Sequence, residues 1–194
     1  MTAVQQKLLS ADRIRVAAKE LFATRGFHQS SMSELAAAAD MSVGLIYRSF
    51  KSKGEIIEAI VHADFDERLA ALNDLRARFD NGELTILETF RELFLQVIDE
   101  DDEALSFDII AEGFRNESVG RTIGEMCGRF RGCLRHFAQA VNPSLDEDEL
   151  EAATELLLGC VFGLGHRSIS MPKLSAAGIA DISARMMVAA LEGI

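Results

Sequence analysis

Only two prolines occur in the 194 residues. A chain so poor in helix breakers and so rich in helix formers is expected to be all-α. Cysteine is scarce too. Cys127, Cys133 and Cys160 are odd in number and include no C-x-x-C pair, which argues against a disulfide framework and predicts reduced, buried thiols in a cytoplasmic chain. No long apolar run follows a basic flank near the start, so no secretory signal is expected. The longest apolar stretch, Leu156 to Leu164, is too short to cross a bilayer, and no membrane partner is expected. Catalytic motifs are missing as well: there is no nucleophile elbow, phosphate loop, H-E-x-x-H or nucleotide-binding glycine pattern. His28, His62, His136 and His166 lack ligand-type spacing. The acidic run Asp99 to Glu103 lacks the glycine-centred loop of a calcium site and reads as a solvated turn leading into a helix. The expectation is a protein that is no enzyme and needs no cofactor and no metal.

What is present begins with charge. The net charge is −11, which taken whole disfavours a nucleic-acid partner. Its distribution reverses the argument. Through Lys53 there are eight Lys plus Arg against four acids, whereas the remainder carries twelve against twenty-seven. A basic head on an acidic body suits a molecule that meets phosphate at one end only.

Within that head, Ser31 to Phe50 reads as two short helices joined by a tight turn. Ser31 and Glu34 make an S-x-x-E capping box, Asp40 ends the first helix, and Ser42 caps the second. Ile46 and Phe50, four apart, face inward with Met41. The outer face of the second helix holds Val43, Gly44, Leu45, Tyr47 and Arg48: one cation, one phenol and no acid. A short helix of this kind behind a turn has the geometry that enters the DNA major groove. Gly44 permits close approach, Arg48 suits a guanine edge or a phosphate, and Val43 and Leu45 suit thymine methyl groups.

Around the motif, Ile14, Ala17, Ala18, Leu21, Phe22, Gly26, Phe27, Ser31, Leu35, Ala36, Ala39, Ser42, Gly44, Ile46, Tyr47, Phe50, Ser52 and Lys53 stand at one ordered spacing. In these residues the chain resembles the N-terminal domain of the tetracycline-repressor (TetR) family of bacterial regulators, over roughly Ser10 to Ile60. It departs from the family at Asp40, often Gly there, at Val43, often Lys, Pro or polar, and at Leu45, often Thr or Ser. The resemblance implies a three-helix helix-turn-helix DNA-binding domain over residues 1–53, with the start of the fourth helix to about 60. A helical ligand-binding and dimerisation domain over 54–194 would follow, with about nine helices in all. It further implies that Ser31, Tyr47 and Lys53 hold phosphates, while Ser42, Val43, Gly44, Leu45 and Arg48 lie on or beside the groove-facing surface.

Along the chain, Ser10 is the expected N-cap of a first helix running to Thr24, and Gly26 ends it. Ser52 and Glu55 repeat the S-x-x-E cap and open a long helix from Lys53 to about Phe79, broken by Asp80-Asn81-Gly82. Lys53 at that helix start reads as a phosphate clamp. Amphipathic stripes follow over Ile86–Ile98, Phe107–Phe114 and Val119–Val141, the last stopped by Asn142-Pro143. From Leu156 to Leu164 the next helix is apolar nearly all round and needs cover on every side. Gly159 and Gly163 thin one face of it, which suggests a helix from a second subunit. A loop with Pro172 and a final stripe to Leu191 complete the chain.

The body's aromatic and Met positions read mainly as core. The resemblance adds a small-molecule pocket, for which the candidates are Phe107, Ile110, Phe114, Met126, Cys127, Phe130, Phe162 and His166, with His136 and Arg167 as further polar anchors. Leu156, Gly159, Cys160, Gly163, Ile182 and Met186 are the candidates for a homodimer interface. The expected protein is a regulator released from a palindromic operator by an unidentified small-molecule effector. A helical protein-interaction module and a thiol redox switch are the alternatives.

Overall fold

The structure, a computed structural model, describes residues 3–98 and 103–194. The acidic run at 99–102 lies outside them. Nine α-helices and no strand occur among the described residues: α1 Ala3–Arg25, α2 Met32–Ala38, α3 Val43–Ser49, α4 Lys53–Asp80, α5 Ile86–Ile98, α6 Glu103–Gly113, α7 Glu117–Val141, α8 Glu147–Gly165 and α9 Ala176–Glu192. A 3-10 turn, Arg167–Ser170, follows α8. The all-α expectation holds.

The start of α1 differs from the expectation. The first helix starts at Ala3 and runs through Ser10, because no breaker precedes that serine and the intervening residues include good helix formers. Elsewhere local chemistry sets the ends. Gly26 leaves α1 at φ +83, a conformation that costs a glycine nothing. Ser52 caps α4 by accepting from the Glu55 amide at 3.2 Å, while the Glu55 carboxylate reaches past it to the Lys51 amide at 2.6 Å. Asp146 and Glu149 form a capping box on α8.

The chain divides into two compact units, Met1–Asp66 with Asp102–Met126, and Glu67–Asp101 with Cys127–Ile194. In the first, Ile14, Phe22, Leu35, Ile46, Ile56 and Ile60 pack with Leu105 of α6 and Val119 of α7. The head's core is therefore closed partly by residues remote in sequence. In the second, α5 lies against α8 and α9, and Phe90, Phe94, Leu134, Phe137, Leu157 and Leu191 form a separate core.

Candidate nucleic-acid interface

The helix-turn-helix is built from capping chemistry on a small apolar anchor. Ser31 Oγ accepts from the Glu34 amide at 3.2 Å, and the Glu34 carboxylate accepts from the Ser31 amide and hydroxyl, both at 2.8 Å. Those two donors, the hydroxyl first, hold the Glu34 carboxyl below its ordinary pKa, and Arg25 at 3.0 Å adds to the effect. Leu35 and Ala36 bury the inner face of α2.

The turn that follows is a Schellman motif. The Met41 amide bonds to Ala36 O at 2.9 Å and the Asp40 amide to Ala37 O at 3.1 Å. Asp40 occupies the left-handed position at φ +52, which favours glycine and which aspartate tolerates better than most residues. From α1, Arg13 Nη2 donates to Ala39 O at 2.8 Å and so binds the end of α2 to its brace.

Ser42 then caps α3, accepting from the Leu45 amide at 3.3 Å. Ile46 is fully buried and Phe50 nearly so, which pins the helix by one side. On the other side Val43 (40% exposed), Gly44, Tyr47 (46%) and Arg48 face solvent, and Leu45 is half-buried. A side chain added at Gly44 would meet nothing within 4 Å. Arg48 has no ion pair among the described residues. The expected acid-free face is there.

Lys53 is placed differently from a free clamp. Its ammonium donates to Phe27 O and Ser30 O at 2.7 Å each and to His28 O at 3.4 Å, and it stands 4.6 Å over the Phe27 ring. Burial pushes its pKa below the ordinary lysine value, with Glu112 and Glu34 opposing; the three carbonyls favour its charged form. Its three protons are directed into the α1–α2 linker, so its geometry is that of a strut.

Sequence reasoning missed three contributors to this head. In the sequence Arg13 is one of eight basic residues of the head, and in the fold it holds the turn. Asp108 of α6 accepts from the Phe27 amide at 2.9 Å, and Glu112, also on α6 and buried, lies 3.7 Å from His28 Nε2. No local signal announces the last two, since their partners lie about eighty residues away in sequence.

The pocket candidates are divided between the two units. Phe107, Ile110, Phe114 and Met126 belong to the first unit, and Cys127, Phe130, Phe162 and His166 to the second. Phe114, expected inside a helix stripe, lies in the turn after α6 and is 89% exposed. The polar anchors have structural partners. His166 Nδ1 lies 2.7 Å from Phe162 O, Arg167 donates to Leu174 O at 2.8 Å, and His136 pairs with Asp80 at 2.7 Å. The thiols are free, but only Cys133 is buried and Cys127 and Cys160 are half-buried, which corrects the expectation for those two. On α8 and α9, Leu156 (58% exposed), Ile182 (38%) and Met186 (68%) are open, Cys160 is half-buried, and Gly159 and Gly163 face empty space. The apolar stretch of α8 is thus not covered on every side by its own chain.

A capped reading helix set behind a Schellman turn and braced by a long first helix defines a helix-turn-helix protein. The family model for bacterial regulatory proteins of the tetR family matches residues 14–60. The HTH-type transcriptional regulator UidR of Escherichia coli (strain K12) is 34% identical over 110 residues, 55% of this chain and 53% of that protein. The chain thus spans about half the length of that relative. The HTH-type transcriptional repressor BepR of Brucella suis biovar 1 is 30% identical over 165 residues, 78% of this chain and 77% of BepR. The solved structure of Salmonella enterica GusR superposes with a TM-score of 0.70 at 26% identity, covering 96% of this chain and 97% of GusR. The chain belongs to the TetR family of bacterial regulatory proteins.

Proposed function

We propose that this chain is a sequence-specific DNA-binding transcriptional regulator. It acts in the cytoplasm as a homodimer on a palindromic operator and is a repressor released by a small molecule. The observation that carries the reading is the solvent face of α3, acid-free and held between a Schellman turn and the Ser52 cap of α4. Ser31, Ser42, Val43, Gly44, Leu45, Tyr47 and Arg48 supply the contacts, while Lys53 acts through the linker it holds. Support for the dimer comes from Leu156, Ile182 and Met186, large apolar side chains left exposed beside two open glycines, a combination that a second copy can cover. The eight pocket candidates remain the proposed effector contacts, with Phe114 the least enclosed of them. No helix among the described residues is long and apolar enough to cross a membrane.

The redox alternative finds no support in the thiols. Burial pushes Cys127, Cys133 and Cys160 above the ordinary cysteine pKa, away from the thiolate that a sensor needs. Selection of duplexes from a random pool tests the whole reading. The expected product is an inverted repeat with half-sites one or more helical turns apart, about 10 base pairs per turn, bound in a salt-dependent way. Failure to enrich any duplex at low salt would leave the protein-interaction module as the better description. Met186→Glu should give a monomer by sedimentation and weaken operator binding.

A further inference from the structure

The proposed reading helices connect to a carboxylate well outside the helix-turn-helix. Phe27 is 5% exposed and its amide lies just past the end of α1, where no helical carbonyl receives it. A buried amide needs an acceptor, and Asp108 Oδ2 supplies it at 2.9 Å from 81 residues away. The same oxygen lies 3.7 Å from where a side chain at Gly26 would begin, so it seats against the left-handed residue of the turn. The linker is gripped from its other side by Lys53 on Phe27 O and Ser30 O, and Ser30 Oγ closes it by donating to Gly26 O at 2.9 Å. The next residue is Ser31, the cap of α2. One turn further along α6, Glu112 lies 3.7 Å from His28 Nε2 and accepts from Asn116 at 3.4 Å.

We propose that Asp108 is a positioning residue for DNA recognition: its carboxylate fixes the Phe27 amide and with it the linker that sets where α2 begins. The proposal rests on the DNA-binding reading above and names a residue on which that site depends. It differs in sign from simple electrostatics. Removing a carboxylate that touches the basic head makes that end more positive, and charge alone would tighten binding to a phosphate backbone. A positioning role requires the opposite.

The test uses the full chain and a duplex selected with the native protein. Asp108→Ala should weaken binding about tenfold, the effect of losing one hydrogen bond to a charged acceptor. The measurement is made at a temperature where circular dichroism reports the fold intact. Hydrogen–deuterium exchange over residues 26–31 should quicken in the same variant. Asp108→Asn, whose amide oxygen still accepts, should stay within about twofold of native. Should Asp108→Ala not fold, Asp108→Glu keeps the charge but displaces the acceptor, and it should weaken binding as well. Native or tighter binding by the variant lacking the acceptor, or unchanged exchange over 26–31, overturns the proposal while the DNA-binding reading stands. A native chain that binds no duplex overturns both.

Discussion

Replacing Lys53 by methionine separates two roles that a lysine at a helix start can have. As a phosphate clamp its loss would leave the fold alone and remove one ion pair with DNA. As the strut seen here, its loss strands Phe27 O and Ser30 O, each receiving a proton at 2.7 Å. Hydrogen bonds to a charged group contribute about 1.5–3 kcal/mol each. The site is half-buried, so water recovers part of the loss, and methionine keeps the apolar stem over Phe27. A net cost of about 2–3 kcal/mol remains, since two short bonds outweigh both corrections. In a chain of this length that lowers the melting temperature by about 5–10 °C. Calorimetry reads the stability, and fluorescence anisotropy against a selected duplex reads affinity across a salt series. Affinity should fall while the slope of log K against log salt stays put, because no phosphate contact is lost. Arg48→Ala supplies the contrast: its slope should flatten by about 0.9, one phosphate's share, at unchanged melting temperature. If Lys53→Met melted like the native chain and flattened the slope as Arg48→Ala does, the strut would be refuted.

Gly120 lies against α6 so closely that a side chain carbon there would stand 2.5 Å from Gly113 O. Gly120→Ala should therefore destabilise by about 1 kcal/mol or more in denaturant titrations, overlap outweighing the gain in helix propensity. Gly124→Ala, which meets open space, should stabilise by up to about 1 kcal/mol, and equal shifts would contradict the packing. Acid should also erode the fold in a defined sense. Glu34 and Glu88 are held below their ordinary pKa by the Ser31 and Thr85 groups they cap, and Asp80 by His136. Their contribution is complete above the ordinary carboxylate value, about 4, and is lost as pH falls through the lowered folded values. Melting temperatures measured down through that range should fall more gently for Glu34→Gln with Glu88→Gln than for the native chain.

Much of the head could be read from residues alone because its determinants are local. A capping box joins residues three apart, a left-handed residue ends a helix where it stands, and Ile46 and Phe50 are one helical turn apart. Asp40 is informative here, since its position and the residue type it replaces in the family both follow from the φ of +52. Lys53 marks the limit of that method. A lysine at the first position of a helix has the right dipole for phosphate, and nothing nearby in sequence announces three carbonyls folding back onto it. Phe114 fails for a related reason: helical spacing places it on a stripe, but the helix stops at Gly113 and the ring turns outward.

By itself, then, the sequence determined the helical class, the capped turn motif and its acid-free outer face, because each depends on neighbours within about one helical turn. Only the tertiary structure decided that Arg13, Lys53, Asp108 and Glu112 support that face. Each meets its partner across more than twenty residues of chain, and such meetings are set by how the apolar cores close.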